Sequence, residues 1–118
     1  MDKDRDTERF YRRILMKTFT YMSGVSNERA VFLWKTFSEQ LRRNELERYE
    51  YWQVLDMRES FDDGQRTLTA TQKAEVGGYD QVVRERLIDV LKKFDLEIEY
   101  HQFGKRDPKE YWWWHIGE

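Results

Sequence analysis

The stretch that decides the fold is residues 96–116, "LEIEYHQFGKRDPKEYWWWHI". Apolar and polar side chains alternate over residues 96–103 and again over residues 109–116, which is the period of a β-strand. The glycine and proline of "GKRDP", between the two runs, are typical of a turn. The pattern therefore predicts a C-terminal two-stranded β-hairpin.

Three consecutive tryptophans on the returning strand fall on both faces of this hairpin. The turn is centred near Arg106, so Trp112 and Trp114 share the core face. Trp113 then lies on the other face together with Tyr111. A slip of one residue in the strand register would reverse this assignment. In either register at least one tryptophan faces away from the hairpin core, where another part of the chain or a partner covers it.

Helical periodicity predicts a pair of helices at the N-terminal end, spanning residues 7–45. Ser23 and Gly24 provide a stop after the first helix, and Ser26 or Asn27 caps the second. Two helices with so short a connection pack antiparallel, and the pair provides core packing or a dimer interface. The two apolar stripes are Phe10, Tyr11, Ile14, Leu15, Thr18 and Met22 in the first helix, and Ala30, Leu33, Trp34, Phe37 and Leu41 in the second.

The middle of the chain predicts further short elements. Helical spacing continues through Leu55, either as an extension of the second helix or as a third helix from Asn44. The "DG" dipeptide at 63–64 then signals a turn. A short extended piece and a short helix end at the double glycine 77–78, and a longer helix begins at Tyr79. The apolar side of this longer helix consists of Val83, Leu87, Val90, Leu91 and Phe94.

This order of helix, short strand, short helix, glycine turn, longer helix and hairpin resembles the winged helix-turn-helix DNA-binding domain. The resemblance covers roughly residues 46–116. In that family a segment like "LTATQKAEVGGYDQVVRERL" forms the helix-turn-helix, and the spacing from Ala74 to Gly78 matches its small residue and its turn glycine. The stretch "LIDVLKKFDLEIEY" resembles the end of the recognition helix and the first wing strand. "GKRDPKEYWW" resembles the wing tip and the returning strand.

The resemblance implies a protein that binds double-stranded DNA, with helix 79–94 in the major groove and wing 104–109 on the phosphates. Glutamine and arginine near the start of such a helix recognise adenine and guanine. Basic side chains on a wing contact phosphates. The nucleic-acid-binding residues implied in this way are Tyr79, Gln81 and Arg84 for the bases, and Lys105, Arg106 and Lys109 for the phosphates.

The charges on the same helix favour another class of partner. Glu85 and Asp89 lie in the middle of its outward face, where they would repel phosphates. The alternative hypothesis is a protein-binding module or inhibitor that uses the aromatic hairpin and the N-terminal helices, since tryptophan and tyrosine are favoured at interfaces. The partner-binding residues of this alternative are Tyr111, Trp113, His101 and Val82.

Composition and motifs exclude several other classes. The chain has 118 residues, enough for one domain, with a net charge of -2 and no cysteine. The sequence contains neither a secretory signal nor an apolar run that could span a membrane, so we expect a cytoplasmic protein. Motifs for phosphate loops, nucleophilic catalysis and metal hydrolysis are missing. In the hairpin, His115 stands opposite Glu97 and too far from His101 to share a metal. We therefore expect neither an enzyme nor a cofactor.

The sequence as a whole predicts a single domain of the α+β class, residues 1–118, that is mostly helical. An N-terminal helical pair, residues 7–45, precedes a winged-helix-like unit, residues 46–118, that ends in the two-stranded β-hairpin. The expected function is that of a small, non-enzymatic, DNA-binding regulator. A protein-binding module is the alternative, and a homodimer through the N-terminal helices is expected for the regulator.

Overall fold

The described part of the chain is all-helical. The computed structural model describes residues 25–46, 51–62 and 66–118, and these residues contain no strand. Four α-helices follow one another, and a short 3₁₀ helix lies near the end. The helices are α1 (Asn27–Arg42), α2 (Tyr51–Asp62), α3 (Ala70–Lys93) and α4 (Glu97–Gly104), and the 3₁₀ helix is Trp112–Trp114.

Helix α1 confirms the predicted second helix of the N-terminal pair. The Ser26 hydroxyl accepts a hydrogen bond from the Arg29 backbone N–H at 3.1 Å, so Ser26 is the cap. The predicted stripe faces the core, with Leu33 half-buried and its other members buried. The helix ends at Arg42, and Asn44 follows in the left-handed conformation with a φ of 56°. Helices α1 and α2 are therefore separate.

Helix α3 runs unbroken through the double glycine, so the predicted turn of a helix-turn-helix is wrong. The helix spans 24 residues, with Gly77 and Gly78 in its interior. Each glycine costs a helix about 1 kcal/mol, but α3 buries an apolar face against α1, and this burial outweighs the cost. A capping box adds to the first turn. The Thr69 hydroxyl accepts from the Gln72 N–H at 3.1 Å, and the Gln72 side chain accepts from the Thr69 N–H at 2.9 Å.

The predicted C-terminal hairpin is also wrong, because its first strand is helix α4. A strand and a helix both return to the same face after four residues, so Leu96 and Tyr100 fit either pattern. Ile98 distinguishes them, since a strand would bury it beside these two, whereas it is 75% exposed. Phe103 is buried instead, as a helical turn requires. The α+β class is therefore corrected to an all-helical one over the residues that the structure describes.

The tail after α4 folds back over that helix as a 3₁₀ turn instead of a strand. The Trp114 N–H donates to the Tyr111 carbonyl at 2.9 Å, which closes the turn. Gly104 allows the tail to approach, because a Cβ at this position would collide with the Trp114 carbonyl oxygen. Trp113 and Trp114 are consequently both buried, although they are adjacent in sequence. No strand register could bury both on one face.

The core lies mainly between α1 and α3, which pack along each other. Helix α2 packs against α1, α4 packs against α3, and the 3₁₀ helix packs against α4. In the described ranges, every helix is too short or too polar to span a bilayer. Among the described residues, the five largest fully buried side chains are aromatic, and they are Trp34, Trp113, Trp114, Tyr51 and Tyr100.

Two predictions fall outside the described residues. The first helix of the N-terminal pair, with its stripe at residues 10–22, is one of them, and the turn at 63–64 is the other. A homodimer through the N-terminal pair stays a prediction.

Candidate functional site

One carboxylate joins three helices. Asp80 of α3 accepts two hydrogen bonds from the Arg58 guanidinium of α2, one from Nε and one from Nη2, both at 2.9 Å. The Trp34 indole N–H of α1 donates to the same carboxylate at 2.8 Å. A bidentate pair of this kind fixes the direction of both side chains. Asp80 therefore helps to determine how α1, α2 and α3 are arranged.

Arg58 is surrounded by aromatic rings in addition to carboxylates. Its side chain is 6% exposed, and Nη1 lies 3.1 Å from Asp62 Oδ1, close enough for an ion pair but without hydrogen-bond geometry. Burial alone would lower the pKa of Arg58, but the carboxylates of Asp80 and Asp62 raise it overall. The guanidinium is thus a buried, charged part of the core. Its central carbon lies 4.8 Å from the ring centre of Trp113, 5.5 Å from Phe61, 5.8 Å from Trp112 and 5.9 Å from Trp34.

Tyr100 of α4 fastens the tail. Its hydroxyl donates to the Trp113 carbonyl at 2.7 Å and accepts from the Ile116 N–H at 3.1 Å. Its ring stacks on Trp114, with ring centres 5.5 Å apart. Burial raises the pKa of Tyr100, so the hydroxyl keeps the proton that it donates. Helix α4 thereby fixes the backbone on both sides of the last tryptophan.

An open groove of about 440 Å³ lies between α3 and the tail. The half-buried Trp112 ring forms part of its wall, and the Arg84 guanidinium lies over this ring, 3.9 Å from its centre. We call this feature the Trp112 groove. The residues that line it are Arg84, Lys109, Trp112, His115, Ile116 and Glu118.

His115 has an oxygen atom at each ring nitrogen. Nε2 lies 2.9 Å from the Asp107 carbonyl oxygen, and Nδ1 contacts the Glu118 carboxylate. The predicted pairing of His115 with Glu97 is wrong. Glu97 lies 3.6 Å from His101 instead, one turn earlier on α4. The predicted hairpin places Glu97 opposite His115, whereas in the structure Glu97 lies on α4 and His115 follows the 3₁₀ helix of the tail.

Two cations in the Trp112 groove are available for a ligand. Arg84 and Lys109 are exposed, and neither forms an ion pair with any residue in the part of the chain that the structure describes. Glu118, the acid of the groove, contacts His115. Trp112 and Ile116 supply apolar surface beside these charges. The arrangement suits a ligand that carries negative charge next to an apolar group.

The helix residues predicted to contact bases lie in different environments. Tyr79 is half-buried and packs against the core, and the Gln81 side chain donates to Glu85 at 2.7 Å. Of the three, only Arg84 reaches the Trp112 groove. Gln81 and Arg84 are exposed on α3, but the preceding turn that defines a recognition helix is replaced by continuous helix.

The residues predicted to contact phosphates lie after α4, in a loop instead of a wing. Lys105 and Arg106 form the exposed turn at the end of α4, and Lys109 follows Pro108 at the edge of the Trp112 groove. These residues do not project on a hairpin tip, because the flanking segments are helical. Lys109 and Arg84 line the same groove, although Lys109 was predicted to contact DNA phosphates and Arg84 to contact bases.

Two of the four residues predicted to bind a protein partner are buried within the chain. Val82 is 6% exposed and Trp113 is fully buried, so the expectation that they face outward is wrong. Tyr111 is half-buried and stacks on Trp113, with ring centres 5.1 Å apart. His101 is partly exposed on α4. For Trp113 the 3₁₀ turn is the physical reason, because it directs this ring inward and leaves Trp112 at the groove.

Trp112, His115 and Ile116 were not predicted from the sequence as groove residues, and neither was the pair of Arg58 and Asp80. The pair had a detectable signal. Asp80 follows Val76 by four residues and Arg58 follows Leu55 by three, so both charges occupy core-facing positions of their helices. A charge at such a position requires a buried partner. The groove had no comparable signal, since it depends on how the tail folds back.

No family model, no curated protein and no solved structure matches this chain. Nor do the described residues contain a cluster of three or more side chains able to hold a metal ion. Any inference about function therefore rests on the geometry of the Trp112 groove.

Proposed function

We propose that this protein is a protein-binding module whose Trp112 groove takes an acidic and partly apolar segment of its partner. One observation carries the proposal: the Arg84 guanidinium lies 3.9 Å from the Trp112 ring centre, at a groove that also contains Lys109. Neither cation is neutralised by an acid within the described ranges.

Because Arg84 lies over the Trp112 indole, its guanidinium is already oriented before a ligand binds. The ring restrains the guanidinium plane, while N–H donors at its edge stay available. A ligand carboxylate can accept two of these donors in parallel, which gives both strength and direction. Lys109 adds a second positive charge to the same groove.

The apolar part of the groove indicates a segment of protein as the ligand. Trp112 and Ile116 provide surface for an apolar side chain next to the acidic one. Tryptophan and arginine are the residues that most often anchor protein interfaces. The groove is open along one side, so it suits a segment laid across it better than a small molecule that must be enclosed.

Duplex DNA is a less favourable partner for this surface. Neutralising a phosphate backbone takes several cationic contacts. On α3, however, Arg84 and Arg86 alternate with Glu85 and lie close to Asp89. The predicted DNA contacts also depended on a turn and a wing that the described chain lacks. DNA binding stays a prediction, and it is included in the test below.

The test is the selection of peptides from a random dodecapeptide display library against the purified full chain. We expect the enriched peptides to combine acidic and apolar residues. Arg84→Ala should weaken their binding by about tenfold or more, the effect of losing a charge-assisted hydrogen bond. Lys109→Ala should weaken it by about two- to fivefold, as for an exposed ion pair. Affinity is measured by fluorescence anisotropy with labelled copies of the enriched peptides.

Arg86→Ala is the matched control, because Arg86 is exposed on the same helix and lies outside the groove. It removes the same charge and should change affinity by less than about twofold. Equal losses in Arg84→Ala and Arg86→Ala, or enriched peptides without acidic residues, would contradict the proposal. Titration with random duplex DNA at about 50 mM and about 200 mM salt tests the other partner class. A steep loss of affinity with salt would favour the DNA-binding regulator instead.

A further inference from the structure

We infer that Glu118 competes with the partner for His115, and that an acidic side chain of the partner replaces Glu118 at the His115 ring. The inference rests on the proposed function of the Trp112 groove and specifies its ligand as a segment with at least two carboxylates. Glu118 lines the groove and its carboxylate contacts His115 Nδ1. The chain thus carries, inside the groove, a group of the same chemistry as the proposed ligand.

The two sides of this contact are exposed to very different degrees. The Glu118 side chain is 44% exposed, whereas the His115 side chain is 11% exposed. An ion pair with so exposed a partner contributes little to stability. Another carboxylate can therefore replace Glu118 at small cost, while the imidazole remains part of the groove wall.

The His115 ring keeps its orientation after such an exchange. Its Nε2 donates to the Asp107 carbonyl at 2.9 Å, on the side of the ring away from Glu118. Nδ1 therefore stays directed at the position that a carboxylate occupies. His115 is thus a third group of the groove, besides Arg84 and Lys109, at which an acidic side chain can bind.

Glu118 contacts only one of these three groups, His115. It forms no ion pair with Arg84 or with Lys109 in the described part of the chain. A partner segment with two acidic side chains can contact His115 with one and the two cations with the second. A segment with a single acid can pair with Arg84 and Lys109 but leaves Glu118 on His115. Displacing Glu118 takes a further carboxylate, so the internal acid competes with ligands that carry more than one.

The experiment uses a fluorescein-labelled hexapeptide of alternating glutamate and leucine, titrated against the full chain by fluorescence anisotropy. Glu118→Gln should tighten binding by about two- to fivefold, the effect of removing a competing exposed ion pair. Glu118→Ala should act in the same direction. A hexapeptide of alternating glutamine and leucine is the neutral reference and should not bind.

Glu110→Gln is the matched control for net charge. Glu110 is exposed near the groove in sequence but does not line it. This substitution should change affinity by less than about 1.5-fold, since a solvent-exposed charge outside the groove is screened by salt. An equal gain in Glu110→Gln would show a general charge effect and would overturn the inference.

The remaining outcomes separate this inference from the function it rests on. If Glu118→Gln binds no more tightly than the unmodified chain while Arg84→Ala loses binding, the competitor role is overturned and the groove function stands. Weaker binding by Glu118→Gln would also overturn it, because Glu118 would then assist the ligand. If neither the unmodified chain nor Glu118→Gln binds the acidic hexapeptide, both proposals fall.

Discussion

The Asp80 carboxylate receives three hydrogen bonds from two other helices. We expect Asp80→Asn to lower the free energy of unfolding by about 3 kcal/mol, because breaking a buried ion pair leaves its partner charge without full compensation. Asp62 stays near Arg58 and limits the loss. Chemical unfolding followed by circular dichroism measures the difference. Asp89→Asn, at an exposed position of the same helix, should change stability by less than about 0.5 kcal/mol.

Tyr100 gives the fold a dependence on alkaline pH. Burial raises the pKa of Tyr100 above the value of about 10 that tyrosine has in an unfolded chain. The folded state therefore keeps a proton that the unfolded state releases. This contribution to stability is complete below about pH 10 and is lost as the pH rises through the folded-state pKa. The loss is at most about 1.4 kcal/mol per pH unit from this group.

Tyr100→Phe tests this dependence. At neutral pH we expect it to destabilise the fold by about 1–3 kcal/mol, because two buried backbone groups of the tail lose their partner. Between about pH 8 and about pH 11, however, its stability should fall less steeply than that of the unmodified chain. Urea unfolding at both pH values provides the comparison. Parallel losses in the two proteins would show that another group is responsible.

The interior glycines of α3 differ sharply from the glycine that ends α4. A Cβ at Gly77 or Gly78 would meet no atom of the other described parts of the chain within 4 Å, whereas a Cβ at Gly104 would collide with the Trp114 carbonyl. We expect Gly77→Ala and Gly78→Ala each to stabilise the chain by about 0.5–1 kcal/mol, since alanine is the better helix former. Gly104→Ala should destabilise it by about 1–3 kcal/mol through overpacking. Thermal unfolding measures all three.

This prediction also distinguishes the continuous helix from the helix-turn-helix. In a tight turn that needs a glycine with positive φ, alanine would be destabilising. A loss of stability in Gly77→Ala and Gly78→Ala would therefore contradict the continuous α3.

The elements show which parts of the fold the sequence could predict. Helix α1 and the apolar face of α3 were predictable, because long stripes at helical spacing leave no strand alternative. Helix α4 was not, since its eight residues are too few to separate the two periods. Ile98, exposed yet in phase with Leu96 and Tyr100, made the strand pattern look complete. The double glycine also led to a wrong prediction, a turn at residues 77–78, because local helix propensity is weaker than tertiary packing.

The candidate site was predictable only in part. Arg84 and Lys109 were both predicted as binding residues, but as DNA contacts implied by the resemblance to the winged helix-turn-helix domain. Their meeting in one groove depends on the tail, whose return over α4 is set by the contact of Gly104 with Trp114. Such a long-range backbone contact leaves no periodic pattern in the sequence. The same contact decides which tryptophan reaches the groove.

Across the whole of the described molecule, the surroundings of Arg58 connect elements that are distant in sequence. Trp34 of α1, Phe61 of α2 and Trp113 of the tail all lie around its guanidinium. We expect unfolding in denaturant to be a single transition, because separation of α1, α3 or the tail from α2 would change the surroundings of this buried charge. Far-ultraviolet circular dichroism and tryptophan emission should have the same midpoint. An earlier change in emission would show that the tail separates first, since three of the five tryptophans are at positions 112–114.

The collision that any side chain at position 104 would cause has a consequence for ancestry. Surface positions can drift over evolutionary time until two descendants share little overall identity, but a descendant that retains this tail has only glycine available at Gly104. Arg58 must likewise persist with Asp80, because neither charge is tolerable alone in that interior. The spacing of these three residues is therefore a signature by which remote kin of this protein can be recognised.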